Sequence, residues 1–388
     1  MRSSLLSIGL VVVSGALLRF WSLGHVQVSP AETRIVHAVA QLIHSGSYRP
    51  RSLAQPTLPI YLQTSVSMAH FIWGAMAGAW RSVTDFGPGE IIGWGRGFSA
   101  LVGTATVFIV FQVGSRWGAR HALLAAGLLA VTPMHVNQSR QMADGSPLTF
   151  LAALTLLLSL MAVERGHRRG FIVAGAAAGL AAACHYAGVL IVVLPLVAVW
   201  MTPDDKSSRL SRAAFVVAAA IAAFIAANPR SVGDLPVFLN GVADAAAPGA
   251  SLEGGGVDRA DILRALVWSL QWPGVILAAA GLGLGIVRAV TGPAHTRWTL
   301  LVSFPVVQVA VALWRHATPD TALLPIMPAA TVLAAVAVVS GVSLLRRFDI
   351  PRSVRTALIA ALTVAAVLPP AVVSIDLVRL EGKEEKTR

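Results

Sequence analysis

The chain has 388 residues, of which 56% are hydrophobic and only 12% are charged, and its mean hydropathy is +0.72. Soluble domains contain about 45–50% apolar and about 25% charged residues. This composition therefore excludes a soluble globular enzyme, a secreted disulfide scaffold and a disordered chain. It predicts an all-α, polytopic membrane protein. A formal net charge of +12 can indicate a nucleic-acid partner. The positions of the charged residues decide whether it does so here.

The hydrophobic segments predict eleven transmembrane helices, because about 20 apolar residues cross the hydrocarbon core. The first follows Arg2 and has no cleavage site after it, which indicates an uncleaved signal anchor over 1–23. A twelfth stretch, 58–80, is weaker because Pro59, Gln63 and His70 interrupt it. The predicted spans are 4–23, 97–114, 120–136, 147–163, 170–184, 187–201, 211–227, 267–289, 298–315, 321–345 and 355–375.

Short basic loops predict the orientation of these spans. Two spans separate each basic loop from the next, so all of these loops lie on one side, which the positive-inside rule makes the cytoplasmic side together with the N-terminus. They carry almost all of the excess positive charge, which is therefore a topology signal and indicates no nucleic-acid partner. The basic loops are 115–121, 164–169, 202–212, 288–297 and 346–355.

The orientation also predicts the status of the stretch 58–80. The first span ends outside and the span 97–114 must end inside, so the whole segment 24–96 is external and 58–80 cannot cross once. We expect a juxtamembrane helix in the outer interface, the alternative being an ordinary span with a misassigned neighbour. The predicted organisation is a signal anchor (1–23), an external loop with juxtamembrane helices (24–96), a transmembrane module (97–227), an external loop (228–262), C-terminal transmembrane helices (263–375) and a polar tail (376–388).

Two carboxylates in the external segments are candidates for chemistry. Glu32 follows Ser29, which can cap a helix, and Pro30, which suits a first helical turn. Asp144 lies in a short external loop just before the helix that begins near Pro147. Both have a structural alternative, since an acidic residue at a helix start complements the helix dipole or caps the helix.

A basic residue and a histidine in the external segments also stand out. Arg140 lies close to Asp144 in the sequence, and His185 marks the outer end of a pair of spans. A histidine at that depth can donate to a phosphate, or it can be a satisfied interface residue.

An ordered series of segments resembles the family 39 glycosyltransferases of the GT-C class, which include the protein O-mannosyltransferases and the aminoarabinose transferase of lipid A. SPAETRIVHAVAQLIHSGSYRP followed by QPTLPIY resembles the first external loop of that family, and SRQMADGSPLTFLAALTLLL resembles its second acidic loop. GLAAACHYAGVLIVVLPL and ANPRSVGDLPVFLNGV resemble later segments, so the likeness covers roughly residues 1–250 in order.

The resemblance implies transfer of a sugar from a polyprenyl-phosphate carrier to a lipid, glycan or protein acceptor at the outer face of the cell membrane. Glu32 is then expected to act as the acceptor-side base with Asp144 as its partner, and the pair suits a divalent cation such as Mg²⁺ or Mn²⁺. Groups that bind the departing phosphate are expected to be Arg96, Arg140, His185 and Arg230.

The sequence departs from the family pattern at several of these positions. Ala31 stands where the family has an aspartate, His185 where a lysine is usual, and Arg230 where a tyrosine follows Asn-Pro. Asp320 and Thr321 stand in place of a late Arg-Tyr pair. A diverged, inactive homologue that serves as a scaffold or sensor is therefore one alternative, and a transporter or lipid flippase is another, although the spans carry almost no charge.

Overall fold

The computed structural model describes residues 2–383 apart from 48, 51, 52, 54, 247–258, 293, 316, 317 and 345–350. The largest parts of predicted regions that lie outside the described residues belong to 228–262, 346–355 and 376–388, and single positions of 1–23, 24–96, 288–297 and 321–345 also lie outside them. The described chain is built from helices, which confirms the all-α prediction.

The first half of the chain supplies nine helices among the described residues. Residues 186–192 form 3-10 turns that lead into the ninth. The helices are α1 (Arg2–Phe20), α2 (Pro30–Ser45), α3 (Leu58–Met76), α4 (Pro88–Gly114), α5 (Ala119–Val131), α6 (Pro133–Ser139), α7 (Gly145–Arg165), α8 (Arg168–Cys184) and α9 (Val193–Trp200).

The second half supplies further long helices joined by short ones. Residues 324–326 form a 3-10 turn between α15 and α16. The helices are α10 (Lys206–Ala227), α11 (Arg230–Gly233), α12 (Leu235–Ala246), α13 (Arg259–Thr291), α14 (His295–Arg315), α15 (Pro319–Leu323), α16 (Met327–Leu344) and α17 (Arg352–Lys383).

Each of the predicted spans overlaps a helix, and the chain is a multi-pass membrane protein. Within the described residues, seven helices are long and apolar enough to cross a membrane, and three further apolar helices are shorter. The predicted number of eleven spans is therefore not confirmed. The helix α3 is not among the seven, and its placement in the outer interface stays a prediction.

Two boundaries differ from the sequence prediction because local backbone chemistry overrides hydropathy. The helix α4 begins at Pro88, nine positions before the predicted 97, because proline suits the first turn and Glu90 Oε2 accepts a hydrogen bond from Gly87 N at 3.1 Å. The predicted span 120–136 breaks after Val131, because Thr132 precedes Pro133 and adopts an extended conformation (ψ 115°).

Close helix contacts depend on glycines that face a neighbouring backbone. A Cβ atom added at Gly179 of α8 would lie 2.1 Å from the carbonyl oxygen of Ala220 in α10. One added at Gly281 of α13 would lie 2.0 Å from the carbonyl oxygen of Leu333 in α16. Small residues at these points let helices pack closely, which is how membrane helices gain van der Waals contact.

A buried arginine joins α1 to the broken end of α5. The side chain of Arg19 is 0% exposed, and its Nη1 donates to the carbonyl oxygen of Ala130 at 3.0 Å. Its Nη2 donates to the carbonyl oxygen of Leu129 at 3.3 Å and to Nδ1 of His135 at 2.7 Å. The break before Pro133 deprives the last carbonyls of α5 of their usual i+4 donors; Thr132 N still donates to that of Leu129 at 3.3 Å, and the guanidinium bonds to both.

The helices α2, α3 and α4 enclose an aromatic cluster in the first loop region. His70 of α3 stacks on Trp94 of α4, with ring centroids 4.4 Å apart and planes 14° apart. Its edge contacts Trp80 and Phe86 at 5.2 and 5.5 Å between centroids. This cluster fixes α3 against the start of α4, the helix that carries Arg96.

The pKa of His70 predicts a pH-dependent stability. Partial burial lowers this pKa, and interactions with Glu90 oppose the change. Because the folded protein then binds the proton less readily than the unfolded chain, His70 stabilises the fold above about pH 6.5, and this stabilisation is lost as the pH falls through the lowered pKa. We expect the thermal midpoint to fall between pH 7.5 and pH 5, and to fall less in His70→Gln.

The matched control for this measurement is His37→Gln, because His37 is exposed on α2. Its midpoint should follow the wild-type pH dependence. Equal slopes for His70→Gln and the wild type would contradict the assignment to His70.

Candidate active site

The first turn of α2 directs Glu32 into the protein interior. Ser29 caps the helix by accepting a hydrogen bond from Glu32 N at 3.2 Å, and Pro30 occupies the first helical position, as predicted. The side chain of Glu32 is 0% exposed. It therefore lies beneath the surface of the loop region and not at its edge.

Glu32 and Arg96 form a buried, bidentate ion pair. Arg96 Nε donates to Glu32 Oε1 at 2.8 Å and Arg96 Nη2 donates to Oε2 at 2.7 Å. Oε1 also accepts a hydrogen bond from Met142 N at 2.8 Å, and Arg96 Nη1 donates to the carbonyl oxygen of Leu23 at 2.8 Å. The pair thus connects the exit of α1, the start of α2, the first turns of α4 and the loop before α7.

This geometry disfavours Glu32 as the base for an acceptor proton. Both of its oxygens already accept hydrogen bonds from protein donors, and the guanidinium neutralises its charge. The same bonds occupy Arg96, which is 2% exposed. The two residues therefore suit a structural connection better than a contact with substrate.

Asp144 has a different environment at the start of α7. It occupies the cap position with φ −79° and ψ −18°, but its side chain makes no capping hydrogen bond. The side chain is half-buried. Within the part of the chain that the structure describes, its carboxylate has no hydrogen-bond or ion-pair partner, although its charge acts on Asp320 and Cys184. The capping alternative thus does not account for Asp144.

Asp320 of α15 is the second carboxylate of this site, and the sequence reasoning did not select it. Gln138 Nε2 of α6 donates to Asp320 Oδ2 at 3.0 Å. Partial desolvation raises the pKa of Asp320, the negative charge of Asp144 raises it further, and the hydrogen bond from Gln138 lowers it. An acidic residue directly after Pro319, just before an apolar span, is the sequence signal that could have identified it.

Gly145 allows the segments around these carboxylates to meet. A Cβ atom added at Gly145 would lie 2.7 Å from Gln138 Oε1 and 3.0 Å from Leu324 Cδ1. The absence of a side chain therefore lets α6 and the 3-10 turn after α15 approach the first turn of α7. Asp144 and Asp320 share this junction as a result.

Arg140 is fully buried beneath the end of α1. Its Nη1 donates to the carbonyl oxygens of Leu18, at 3.1 Å, and of Trp21. These acceptors lie in the last turn of α1 and directly after it, where a cation is favourable. Arg140 therefore fastens the end of α1.

His185 and Arg230 are half-buried, and each is positioned by a hydrogen bond within its own segment. Nδ1 of His185 accepts a hydrogen bond from Ala187 N at 3.1 Å, so in the neutral ring the proton lies on Nε2, which can donate. Arg230 Nη2 donates to Asp234 Oδ2 at 3.1 Å. Both side chains remain partly accessible, unlike Arg96 and Arg140.

The segment that contains Arg230 is fixed to the first loop. Asn228 Oδ1 accepts a hydrogen bond from Thr57 Oγ1 at 2.8 Å, and the Tyr186 hydroxyl donates to the carbonyl oxygen of Leu53 at 2.7 Å. Burial raises the pKa of Tyr61, and the positive charge of Arg230 opposes part of this rise. Arg230 therefore lies close to the start of α3.

The donor set of Asp144 and Asp320 fits a hard divalent cation better than the expected pair of Glu32 and Asp144. Among the described residues, no group of three or more His, Cys, Asp and Glu side chains converges. Mg²⁺ is nevertheless commonly held by one or two carboxylates together with water and substrate phosphate. Glu32 does not fit because Arg96 already neutralises it.

Comparison with known proteins supports the expected fold. A family model described as dolichyl-phosphate-mannose-protein mannosyltransferase matches residues 94–231. A search of curated protein sequences gives no significant match.

Solved structures resemble the whole chain. An archaeal oligosaccharyltransferase AglB from Archaeoglobus fulgidus, in complex with an inhibitory peptide and a dolichol-phosphate, matches with a TM-score of 0.66 and 13% identity over 97% of this chain and 56% of that one. The A. fulgidus oligosaccharyltransferase in complex with Zn and sulfate matches with a TM-score of 0.62 and 14% identity over 95% of this chain and 52% of that one. ArnT from Cupriavidus metallidurans bound to undecaprenyl phosphate matches with a TM-score of 0.62 and 19% identity over 97% of this chain and 72% of that one.

These likenesses show that the chain has the GT-C membrane fold, as the sequence resemblance predicted. The chain spans little more than half of the archaeal proteins and about three quarters of ArnT.

Proposed function

We propose that the protein transfers a sugar from a polyprenyl-phosphate carrier to an acceptor at the outer face of the cell membrane. The observation that carries this proposal is the junction at which Asp144, with no partner among the described residues, lies beside Asp320 in a GT-C fold. The family match over 94–231 and the polyprenyl phosphates bound to AglB and ArnT support it. The N-terminus is then cytoplasmic and the loops 24–96, 137–146 and 228–262 are external.

Asp144 is the acceptor-side base in this proposal. An acceptor hydroxyl is a poor nucleophile until a positioned base removes its proton. Asp144 is half-buried and free of competing donors among the described residues, so its oxygen can accept that proton. Glu32 has the different role of holding Met142 N, two residues earlier, and thereby positioning the Asp144 loop.

Asp320 supports Asp144 and completes a cation site. Gln138 orients Asp320 through its hydrogen bond. A divalent cation such as Mg²⁺ or Mn²⁺, held by the two carboxylates, would offset their repulsion and polarise an oxygen of the substrate.

His185 and Arg230 are the proposed contacts to the departing phosphate. Negative charge develops on that phosphate as the bond to the sugar breaks, and fixed donors stabilise it better than reorganising water does. Nε2 of His185 and the guanidinium of Arg230 are both partly accessible. Arg96 and Arg140 are not assigned to this role because backbone and carboxylate acceptors bind them.

Incubation of the purified protein in lipid nanodiscs with radiolabelled polyprenyl-phosphate sugars tests the proposal. Label should pass from the carrier to an acceptor in a membrane extract or, more slowly, to water. EDTA should reduce this transfer, and Mg²⁺ or Mn²⁺ should restore it. Binding of the carrier without any transfer or hydrolysis would favour the inactive scaffold instead, and Ala31 is the residue that favours that alternative.

Substituting the proposed phosphate contacts should weaken donor binding. We expect Arg230→Gln and His185→Gln each to raise the KM for the donor by about 10- to 100-fold, because a hydrogen bond to a charged group contributes about 1.5–3 kcal/mol. Initial rates over a range of donor concentrations measure this change. Arg81→Gln is the control, since Arg81 is exposed in the first loop. An unchanged KM in both variants would contradict the assignment.

A further inference from the structure

A groove between α13 and α17 is a second candidate site. Its volume is about 500 Å³, within the range of about 300–1,000 Å³ that is usual for small-molecule sites. One residue of α17 faces six residues of α13 across it. The lining consists of Leu263, Arg264, Val267, Trp268, Gln271, Trp272 and Val373.

Backbone irregularities in both helices explain the gap. Gln271 in α13 has φ 56° and ψ 161°, which breaks the helix two residues before Pro273, and proline has no N–H donor to continue it. Its side-chain Nε2 donates to the carbonyl oxygen of Trp268 at 2.8 Å and so satisfies part of the broken turn. The helix α17 carries Pro369 and Pro370 close to Val373. Bends of this kind separate two helices that are otherwise in contact.

The groove faces the membrane lipid. Both α13 and α17 are candidate spans, and only 17% of the apolar window of each is buried in the protein. Trp272 is 59% exposed, and tryptophan is enriched where hydrocarbon meets the polar headgroups. Arg264 is exposed at the rim and pairs with Asp261 at 2.6 Å. Because the interior of the groove is apolar, the chemistry of its occupant is that of a hydrocarbon chain.

The groove adjoins the junction of Asp144 and Asp320. Both walls pack against α6, which carries Gln138, and α13 also packs against α15, which carries Asp320. Ser374 Oγ, next to Val373, donates to the carbonyl oxygen of Val131 at 2.8 Å and fixes α17 to the break before α6. A lipid chain in the groove would therefore bring its headgroup towards the acceptor-side carboxylates.

The proposed donor contacts belong to other elements. His185 ends α8, which packs against α7 and α10, and Arg230 begins α11, which packs against α12. The proposed contacts to the carrier phosphate and the groove therefore lie on different helices of the bundle.

From this arrangement we infer that the groove holds an acyl chain of the acceptor, which is a membrane lipid. The inference rests on the proposed function and narrows its acceptor class. The chain is held by apolar contact with the two tryptophans and Val267, and the headgroup hydroxyl is left at the junction where Asp144 can take its proton.

Photolabelling in nanodiscs tests the groove without requiring turnover. The probe is phosphatidylethanolamine with a diazirine in one acyl chain, and a diazirine-bearing polyprenyl phosphate is the comparison. The acyl probe should label the α13 peptide at 263–272 in preference to the region of Ile276. Val267→Trp, which fills the groove, should lower this labelling about tenfold. Ile276→Trp is the control, because Ile276 is 63% exposed on the same helix outside the groove.

Three results would overturn the inference. Equal labelling around 263–272 and around Ile276 would show bulk lipid only. Preferential labelling of the groove by the polyprenyl probe would make it a carrier site, and protection from both probes in a cross-linked dimer would make it a contact between copies. Failure of the proposed function gives a different result. The wild-type protein would then not hydrolyse the bond between sugar and phosphate in the donor, a reaction that uses water and needs no acceptor.

Discussion

Asp144→Asn should lower the rate of sugar transfer by about 10²–10⁴-fold, the usual contribution of a positioned general base. The amide keeps the size of the side chain but cannot accept the proton of the acceptor. Since Asp144 makes no capping hydrogen bond, we expect the thermal midpoint of unfolding to stay close to that of the wild type. The donor KM should also stay close, because the phosphate contacts are elsewhere.

The measurement is kcat for transfer of labelled sugar at saturating donor, with Asp376→Asn as the matched control. Asp376 is an exposed carboxylate on α17, and its amide variant should keep wild-type activity. Asp320→Asn should show an intermediate loss of kcat, because it removes the carboxylate that supports Asp144 but leaves the base itself in place. Full activity of Asp144→Asn would exclude the assignment of the base.

Arg96→Met should destabilise the protein by about 3–5 kcal/mol, because it leaves the carboxylate of Glu32 buried without its partner. Glu32→Met should have a comparable effect, since it leaves the guanidinium of Arg96 buried. The double variant should lose less unfolding free energy than the two single variants lose together, because no unpaired charge remains buried. The double-mutant cycle isolates this coupling.

Unfolding of the four proteins in mixed detergent micelles gives the free energies for the cycle. The conservative variant Glu32→Gln separates the two possible roles of this residue. If Glu32 positions the Asp144 loop, Glu32→Gln should lose stability together with activity. If Glu32→Gln instead keeps wild-type stability and only its kcat falls, by about 10²–10⁴-fold, Glu32 is the general base.

Local sequence chemistry predicted the elements that depend on near neighbours. The cap at Ser29, the proline that begins α2 and the helices at the apolar segments follow from residues within a few positions of one another. Asp144 could be selected because it stands in a short polar loop between two apolar runs. The start of α4 at Pro88 was also encoded locally, but hydropathy outweighed the Gly-Pro-x-Glu signal.

The pairing of side chains could not be predicted in the same way. Glu32 and Arg96 are 64 positions apart, and Gln138 and Asp320 are 182 positions apart. Which of these groups meet depends on how the helices pack, for example on the close approach that Gly145 allows. The expectation that Arg96 and Arg140 bind phosphate came from the family resemblance, whereas the carboxylate of Glu32 and buried backbone carbonyls are the groups that they contact.

The contacts of Arg19 also constrain the order in which the protein assembles. The carbonyls that it binds belong to Leu129 and Ala130, which follow it by 110 and 111 positions. During synthesis α1 enters the bilayer before α5 exists, so its guanidinium must first extend to the aqueous boundary, from which it lies one residue inside the end of the helix. Arg19 can donate to the carbonyl of Gly15 in its own helix at any stage, but it can exchange water for the carbonyls of Leu129 and Ala130 only after α5 has been inserted. The contacts between α1 and α5 therefore form only after α2, α3 and α4 have been synthesised.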